Sequence, residues 1–190
     1  MRFNRGPVVG LAALLAGALS LAVPAAHAAA QSGEGATAAT QTGGTQTGPS
    51  GLPLPRFVSL KSDRINVRAG PGQDHTISWI FSKAGLPVEI VAEYENWRRI
   101  RDSEGAEGWI FHSLLSGRRT AIVAPWSKEN NLALRRSPGE DESLAARVEP
   151  NVLVDLNECD GTWCRVSVKN VTGWITQDTL WGVYPKETVN

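Results

Sequence analysis

The tripeptide Gly-Trp-Ile occurs twice, at 108–110 and 173–175. Each copy follows a short alternating run opened by another tryptophan, Trp97-Arg-Arg-Ile100 and Trp163-Cys-Arg-Val166. Further upstream stand Val67-Arg-Ala-Gly-Pro-Gly72 and Leu134-Arg-Arg-Ser-Pro-Gly139. The three landmarks recur at offsets of 67, 66 and 65 residues. Self-similarity over three separated landmarks in one order means that a single structural unit is used twice. The fold must therefore be found for a unit of about 60 to 75 residues, near the lower limit for an independent core. Two such units are expected to support each other by packing.

Within each unit the apolar pattern has the period of a strand. In the first unit, strands are expected at 57–60, 65–68, 76–81, 86–94, 97–103 and 108–111, separated by turn residues such as Gly85 and Glu104-Gly105. Over 86–94, Val88, Ile90 and Ala92 share one face and Glu89 and Glu93 the other, the signature of a half-buried strand. His112-Ser-Leu-Leu115 reads as a short helical turn. The second unit repeats the order at 120–124, 132–135, 145–148, 152–156, 163–168 and 173–175. Leu180-Trp-Gly-Val-Tyr184 has no counterpart in the first unit and is expected to be a last strand or a pad over a seam or interdomain contact. No stretch supports a long amphipathic helix. The fold class expected from the pattern is all-β: two tandem small barrels or sandwiches, 57–116 and 117–190, after a signal segment and a disordered linker.

The start of the chain reads as an address. Arg2 and Arg5 precede an almost wholly apolar run over 8–23. That run is shorter than the roughly 20 residues needed to span a bilayer, which favours a cleaved signal peptide over a membrane anchor. Ala26 and Ala28 fit the small positions of a cleavage site, placing the signal at 1–28, with cleavage after Ala30 as the alternative. Residues 29–56 are mostly Gln, Ser, Gly, Thr and Ala and read as a flexible tether, stiffened at Pro53-Leu-Pro55. The mature chain is expected to be exported, with no membrane insertion after cleavage. The first unit carries 7 basic and 8 acidic residues and the second 9 and 10, so neither offers the footprint that nucleic acid requires.

Taken together, Val67-Arg-Ala-Gly-Pro-Gly72, Trp97-x-x-Ile100 and Gly108-Trp-Ile110 resemble the bacterial SH3-like (SH3b) domain. In the second unit, Cys159-Asp-Gly-Thr-Trp-Cys-Arg-Val166, Gly173-Trp-Ile175 and Leu180-Trp-Gly-Val-Tyr-Pro-Lys-Glu187 resemble an exported bacterial subgroup of that family. The resemblance covers 57–187. The second copy departs from the pattern where Ala133 replaces Asn66, and Arg136-Ser137 replaces Ala69-Gly70. The resemblance implies five or six strands per barrel, a periplasmic or envelope location, and no catalysis of its own. Such domains usually accompany a cell-wall hydrolase and help it hold peptidoglycan.

Cys159 and Cys164 are the only cysteines, and export permits a disulfide between them. Two hairpin geometries compete. A two-residue turn at Asp160-Gly161 sets the cysteines diagonally, whereas a loop over 160–163 brings them face to face. A catalytic thiol is disfavoured: His75 and His112 both precede Cys164, and Asp160 and Glu158 beside the thiol raise its pKa. Cys-x4-Cys without a nearby histidine lacks two zinc ligands, and no phosphate-binding loop is present, so neither metal nor cofactor is expected.

The seven tryptophans carry the binding expectation. Trp109 and Trp174 are expected in the core. Trp97 and Trp163 stand three positions before residues that should point inward, so strict alternation puts them outside unless a bulge turns them in. Beside Tyr94 and Arg98, an exposed Trp97 makes a stacking patch for peptide or glycan; otherwise each ring packs over its hairpin. Trp126 is a further candidate for ligand contact or for interdomain packing. The function expected is a non-enzymatic envelope binding module for peptidoglycan or its peptides. The alternative is an adaptor for an envelope protein, and a cell-wall peptidase is a remote third.

Overall fold

Seven short strands occur in the same spatial order in both halves of the chain. The computed structural model describes residues 46–128 and 131–190; the expected signal segment and the tether up to residue 45 lie outside them. The first lobe comprises β3 (Arg56–Leu60), β4 (Ile65–Arg68), β5 (Ile77–Phe81), β6 (Pro87–Tyr94), β7 (Trp97–Arg101), β8 (Glu107–Phe111) and β9 (Leu115–Ser116). It is preceded by the small hairpin β1 (Gln46–Thr47) and β2 (Pro53–Leu54). The second comprises β10 (Thr120–Val123), β11 (Leu132–Arg135), β12 (Leu144–Val148), β13 (Leu153–Asp160), β14 (Trp163–Val168), β15 (Val171–Thr176), β16 (Leu180–Trp181) and β17 (Thr188–Val189).

The first sheet runs β5-β4-β8-β7-β6-β3-β9 and the second β12-β11-β15-β14-β13-β10-β16, with β17 added beside β13. All pairs are antiparallel. The all-β class holds, but the closed barrels expected from the sequence do not: among the described residues no ladder joins β5 to β9 or β12 to β16. Each sheet also has seven strands in its path rather than five or six, because two-residue ladders at β9 and β16 extend it. A 3-10 turn follows the eighth strand at His112–Leu114 and its counterpart at Gln177–Thr179.

Alternation fills each core. Ile65, Val67, Val88, Ile90, Ile100 and Ile110 are buried in the first lobe; Leu134, Val154, Val166 and Ile175, with Cys159 and Cys164, are buried in the second. Burying each such aliphatic side chain contributes about 1.5–3 kcal/mol. The Gly of Gly-Trp-Ile faces inward with the Ile. A Cβ on Gly108 would lie 2.4 Å from Val67 Cγ1, and one on Gly173 would lie 3.0 Å from the Arg135 carbonyl. Only glycine lets β8 and β15 run so close to β4 and β11. Trp109 and Trp174 are consequently not core residues as expected. They are half-buried on the opposite face, where their backbones pair with Arg68 and Arg135.

Two acidic residues expected on an exposed face are buried, for two different reasons. Glu89 is covered by the second lobe: its carboxylate accepts bonds from Tyr184 Oη at 2.8 Å and from Arg101 Nε at 2.9 Å. Glu93 lies beneath the β1–β2 hairpin, where Ser50 N and Oγ, at 2.8 and 2.7 Å, donate to it and Arg56 and Arg98 pair with it. The last part of the expected linker, from residue 46, is thus ordered against the first lobe. The tail after β16 forms the interlobe pad. Phe57 packs against Tyr184 and Trp181 with ring centroids at 4.7 and 5.2 Å. Thr120 Oγ1 donates to the Gly85 carbonyl at 2.7 Å, and Ser59 Oγ donates to the Arg118 carbonyl.

Candidate functional site

Ile100 and Val166 are fully buried, so the residues at alternate positions before them face solvent. The bulges of these hairpins lie on the facing strands. The extra residues are Val91, between Ile90 and Ala92, and Asn157, between Leu156 and Glu158. No bulge turns Trp97 or Trp163 inward, and both rings lie half-buried on the outer face.

What each ring meets there differs between the lobes. Trp97 is paired across the ladder with Phe111, and their rings meet edge to face at 5.5 Å; Phe111 in turn packs on His112 at 5.1 Å. The corresponding partner of Trp163 is Thr176. Where the first lobe has a phenyl ring the second has a hydroxyl, and where the first has Leu114 the second has Thr179. A cleft of about 300 Å³ opens there in the second lobe, bordered by Trp163, Thr176, Thr179, Arg135, Arg147 and Glu140. Arg135 Nη1 donates to the Glu142 carbonyl at 2.7 Å, pinning the hairpin loop that forms one wall. Arg68 does the same for its own loop through the His75 carbonyl at 2.6 Å.

The other residues singled out from the sequence do not converge on this cleft. Tyr94 is 53% exposed and pairs with Trp97 at the tip of the first lobe's hairpin. Arg98 points away from that patch: it bonds the Glu93 carboxylate at 3.1 Å and donates to the carbonyls of Glu95 and Trp97 at 2.9 Å. Burial alone would raise the Glu93 pKa. The bonds from Arg56 and Ser50 and the charge of Arg98 outweigh it and hold the carboxyl at about 2. Trp126 is 59% exposed on the connection after β10, outside the walls of the cleft.

Cys159 and Cys164 form a disulfide and face each other across the β13–β14 ladder, but the expected loop over 160–163 is shorter than foreseen: Asp160 and Trp163 extend the strands and Gly161-Thr162 makes the turn. The Asp160 carboxylate accepts from the amides of Thr162 and Trp163 at 2.8 and 2.7 Å, which lowers its pKa and shapes the turn. Neither sulfur is a free thiol. Among the described residues no group of three His, Cys, Asp or Glu is placed to hold a metal ion. A second cleft, of about 250 Å³, lies between the lobes beside Lys61, Gly85 and Leu153, where Arg118 pairs with Asp155.

Sequence reasoning selected Trp163 but not Thr176, Thr179, Arg147 or Glu140. The signal was available in the offset between the copies, which sets Thr176 on Phe111 and Arg147 on Ile80.

A sheet order repeated over two lobes, with a tryptophan at the start of the same strand in each, defines a tandem β-module. Residues 61–117 and 128–182 each match the bacterial SH3 domain, together more than half of the chain, and the protein belongs to that family. No curated protein matches it. Similar solved structures include NlpC2 from Trichomonas vaginalis, with 16% identity over 67% of this chain and 48% of that one and a TM-score of 0.30. NlpC1 from the same organism has 15% identity over 66% and 45%, TM-score 0.30. An NlpC/P60 family protein from Bacillus cereus has 12% identity over 66% and 55%, also at 0.30. The chain spans about half the length of each. Likeness at that level transfers neither activity nor substrate. Among the described residues no helix is long and apolar enough to cross a membrane.

Proposed function

We propose that the protein is an exported, non-enzymatic binding module of the cell envelope, periplasmic in location, that holds peptidoglycan through the cleft of its second lobe. The observation that carries the reading is the contrast at one position. Phe111 packs on Trp97 in the first lobe, whereas Thr176 leaves one side of Trp163 open to a cleft in the second. An indole wall with hydroxyls beside it suits a sugar or peptide backbone, which offers apolar faces and hydrogen-bonding edges together. Membership of the bacterial SH3 family, whose domains serve as cell-wall binding modules, supports the same class of ligand. The joined cysteines leave no thiol nucleophile in the second lobe, which favours binding over peptide-bond chemistry.

A second reading, an adaptor for an envelope protein, is favoured by one feature. Strand β5 ends the first sheet and exposes Ile77 and Ile80, an edge that an extended segment can join by strand addition.

Co-sedimentation of the purified protein with isolated peptidoglycan sacculi separates the two. Wall binding predicts saturable pelleting that Trp163→Ala weakens, that Thr176→Phe weakens by filling the cleft, and that Trp97→Ala leaves unchanged. Absence of pelleting at tens of micromolar, about where weak modules register, would sink the wall reading and leave the β5 edge to be probed against envelope proteins.

A further inference from the structure

The two lobes differ around the Trp97/Trp163 position in kind as well as in space. Aligned through their ladders, Ile80 of β5 corresponds to Arg147 of β12, each opposite the matching residue of the neighbouring strand, Asn66 or Ala133. Gln73 corresponds to Glu140 in loops of equal length. Phe111 and Leu114 correspond to Thr176 and Thr179. Four neutral positions of the first lobe thus become a guanidinium, a carboxylate and two hydroxyls, and all four border one cleft.

The two charges are also uncommitted. Among the described residues, the side chains of Arg147 and Glu140 make no hydrogen bond and no ion pair, whereas that of Arg135, on the strand paired with β12, is tied to the Glu142 carbonyl. A guanidinium presents a planar pair of donors matched to a carboxylate. An ammonium is attracted both by a carboxylate and by the face of an indole.

We infer that the second-lobe cleft takes a short peptide through its ionised groups, with Arg147 receiving a carboxylate and Glu140, on the same cleft as Trp163, an ammonium. The inference rests on the wall-binding reading and names the part of the wall that is read: the peptide rather than the glycan. Peptides that cross-link the wall carry free carboxylates and free amines; the uncharged glycan offers neither to this pair. The first lobe, with Ile80 and Gln73 at those positions, is not expected to contribute to that recognition.

The test is calorimetric titration of the purified protein with the tripeptide Ala–γGlu–diaminopimelate, with the same peptide amidated at its carboxylates, and with chitotetraose. Arg147→Gln and Glu140→Gln serve as variants. Both are exposed and outside the cores, and circular dichroism checks their folding. The expected result is binding of the tripeptide that weakens about five-fold on amidation or in Arg147→Gln, the scale of one solvent-exposed ion pair. Salt should weaken wild-type binding more than that of Arg147→Gln. Equal affinity of wild type and Arg147→Gln for the tripeptide overturns the inference. So does pelleting with sacculi accompanied by chitotetraose binding and no tripeptide binding, which leaves wall binding standing with glycan as its ligand. If neither sacculi nor tripeptide bind, the wall reading falls and this inference with it.

Discussion

The hydroxyl of Tyr184 donates a 2.8 Å hydrogen bond to the carboxylate of Glu89, 95 residues earlier in the chain and in the other lobe. Glu89 is itself held by Arg101, so tyrosine, glutamate and arginine form one connection across the interlobe contact, with the buried carboxylate at its centre. Removing the hydroxyl in Tyr184→Phe should cost about 1.5 kcal/mol, the worth of a hydrogen bond to a charged acceptor. Urea unfolding of the variant checks the loss.

The same contact sets an alkaline limit. Burial, then the bond to and charge of Glu89, push the Tyr184 pKa well above its ordinary value of 10. The neutral form is favoured in the fold, so this contribution is full below pH 10 and is lost as pH rises beyond it. In a Tyr94→Phe background Tyr184 is the remaining tyrosine. Its phenolate absorbance should then appear only together with unfolding.

Glu93 sets the acid limit. Its carboxyl is held at about 2 against an ordinary 4.5, so its contribution is full above pH 4.5 and is lost as pH falls toward 2. The gap corresponds to about 3 kcal/mol. Melting temperatures recorded from pH 7 to pH 2 should fall more steeply for the wild type than for Glu93→Gln. Parallel curves would contradict the assignment.

Reducing Cys159–Cys164, or replacing both residues by serine, should cost about 2 kcal/mol, the expectation for closing so short a loop. Denaturant unfolding with and without reductant measures it. The disulfide lies at one end of the β13–β14 hairpin, away from the first lobe, so interlobe reporters such as Tyr184 should respond less than Trp163.

Alanine at Gly108 should destabilise by about 2–3 kcal/mol, because the new methyl would meet the fully buried Val67 at 2.4 Å. Alanine at Gly173 meets its nearest atoms at 3.0 Å and should cost less, about 1 kcal/mol. Thermal denaturation of the two variants side by side tests the ranking.

The ladder order was legible because it is written in short-range signals: period-two alternation, turn glycines and a duplicated set of landmarks. The disulfide was expected from the lone cysteine pair and export; which turn sets the two face to face was not legible, because either register suits the sequence around Asp160-Gly161. The orientation of Gly-Trp-Ile was not legible from alternation, which allows either face inward. Steric room decides it, since the glycine is the residue that fits where β8 crosses β4. Glu89 and Glu93 were misread as solvent-facing because their covers come from elsewhere in the chain, Tyr184 in one case and Ser50 and Arg56 in the other. The ordered hairpin at 46–54 has little hydrophobic signature beyond Leu54, which packs on the first core; the rest is held by polar groups converging on Glu93. The cleft escaped notice because it is defined by an absent side chain, visible only when Thr176 is set against Phe111.

That single position also puts the duplicated units under different constraints. In the first lobe, change around Trp97 is filtered by whether Phe111 still packs. In the second, change around Trp163 is filtered by what reaches the open indole. The duplicated unit thus serves as a packed pedestal in one copy and as an open head in the other. Homologues that bind the same ligand should keep Arg147 and Glu140 as a charged pair on the cleft, while the first lobe keeps Trp97 with Phe111.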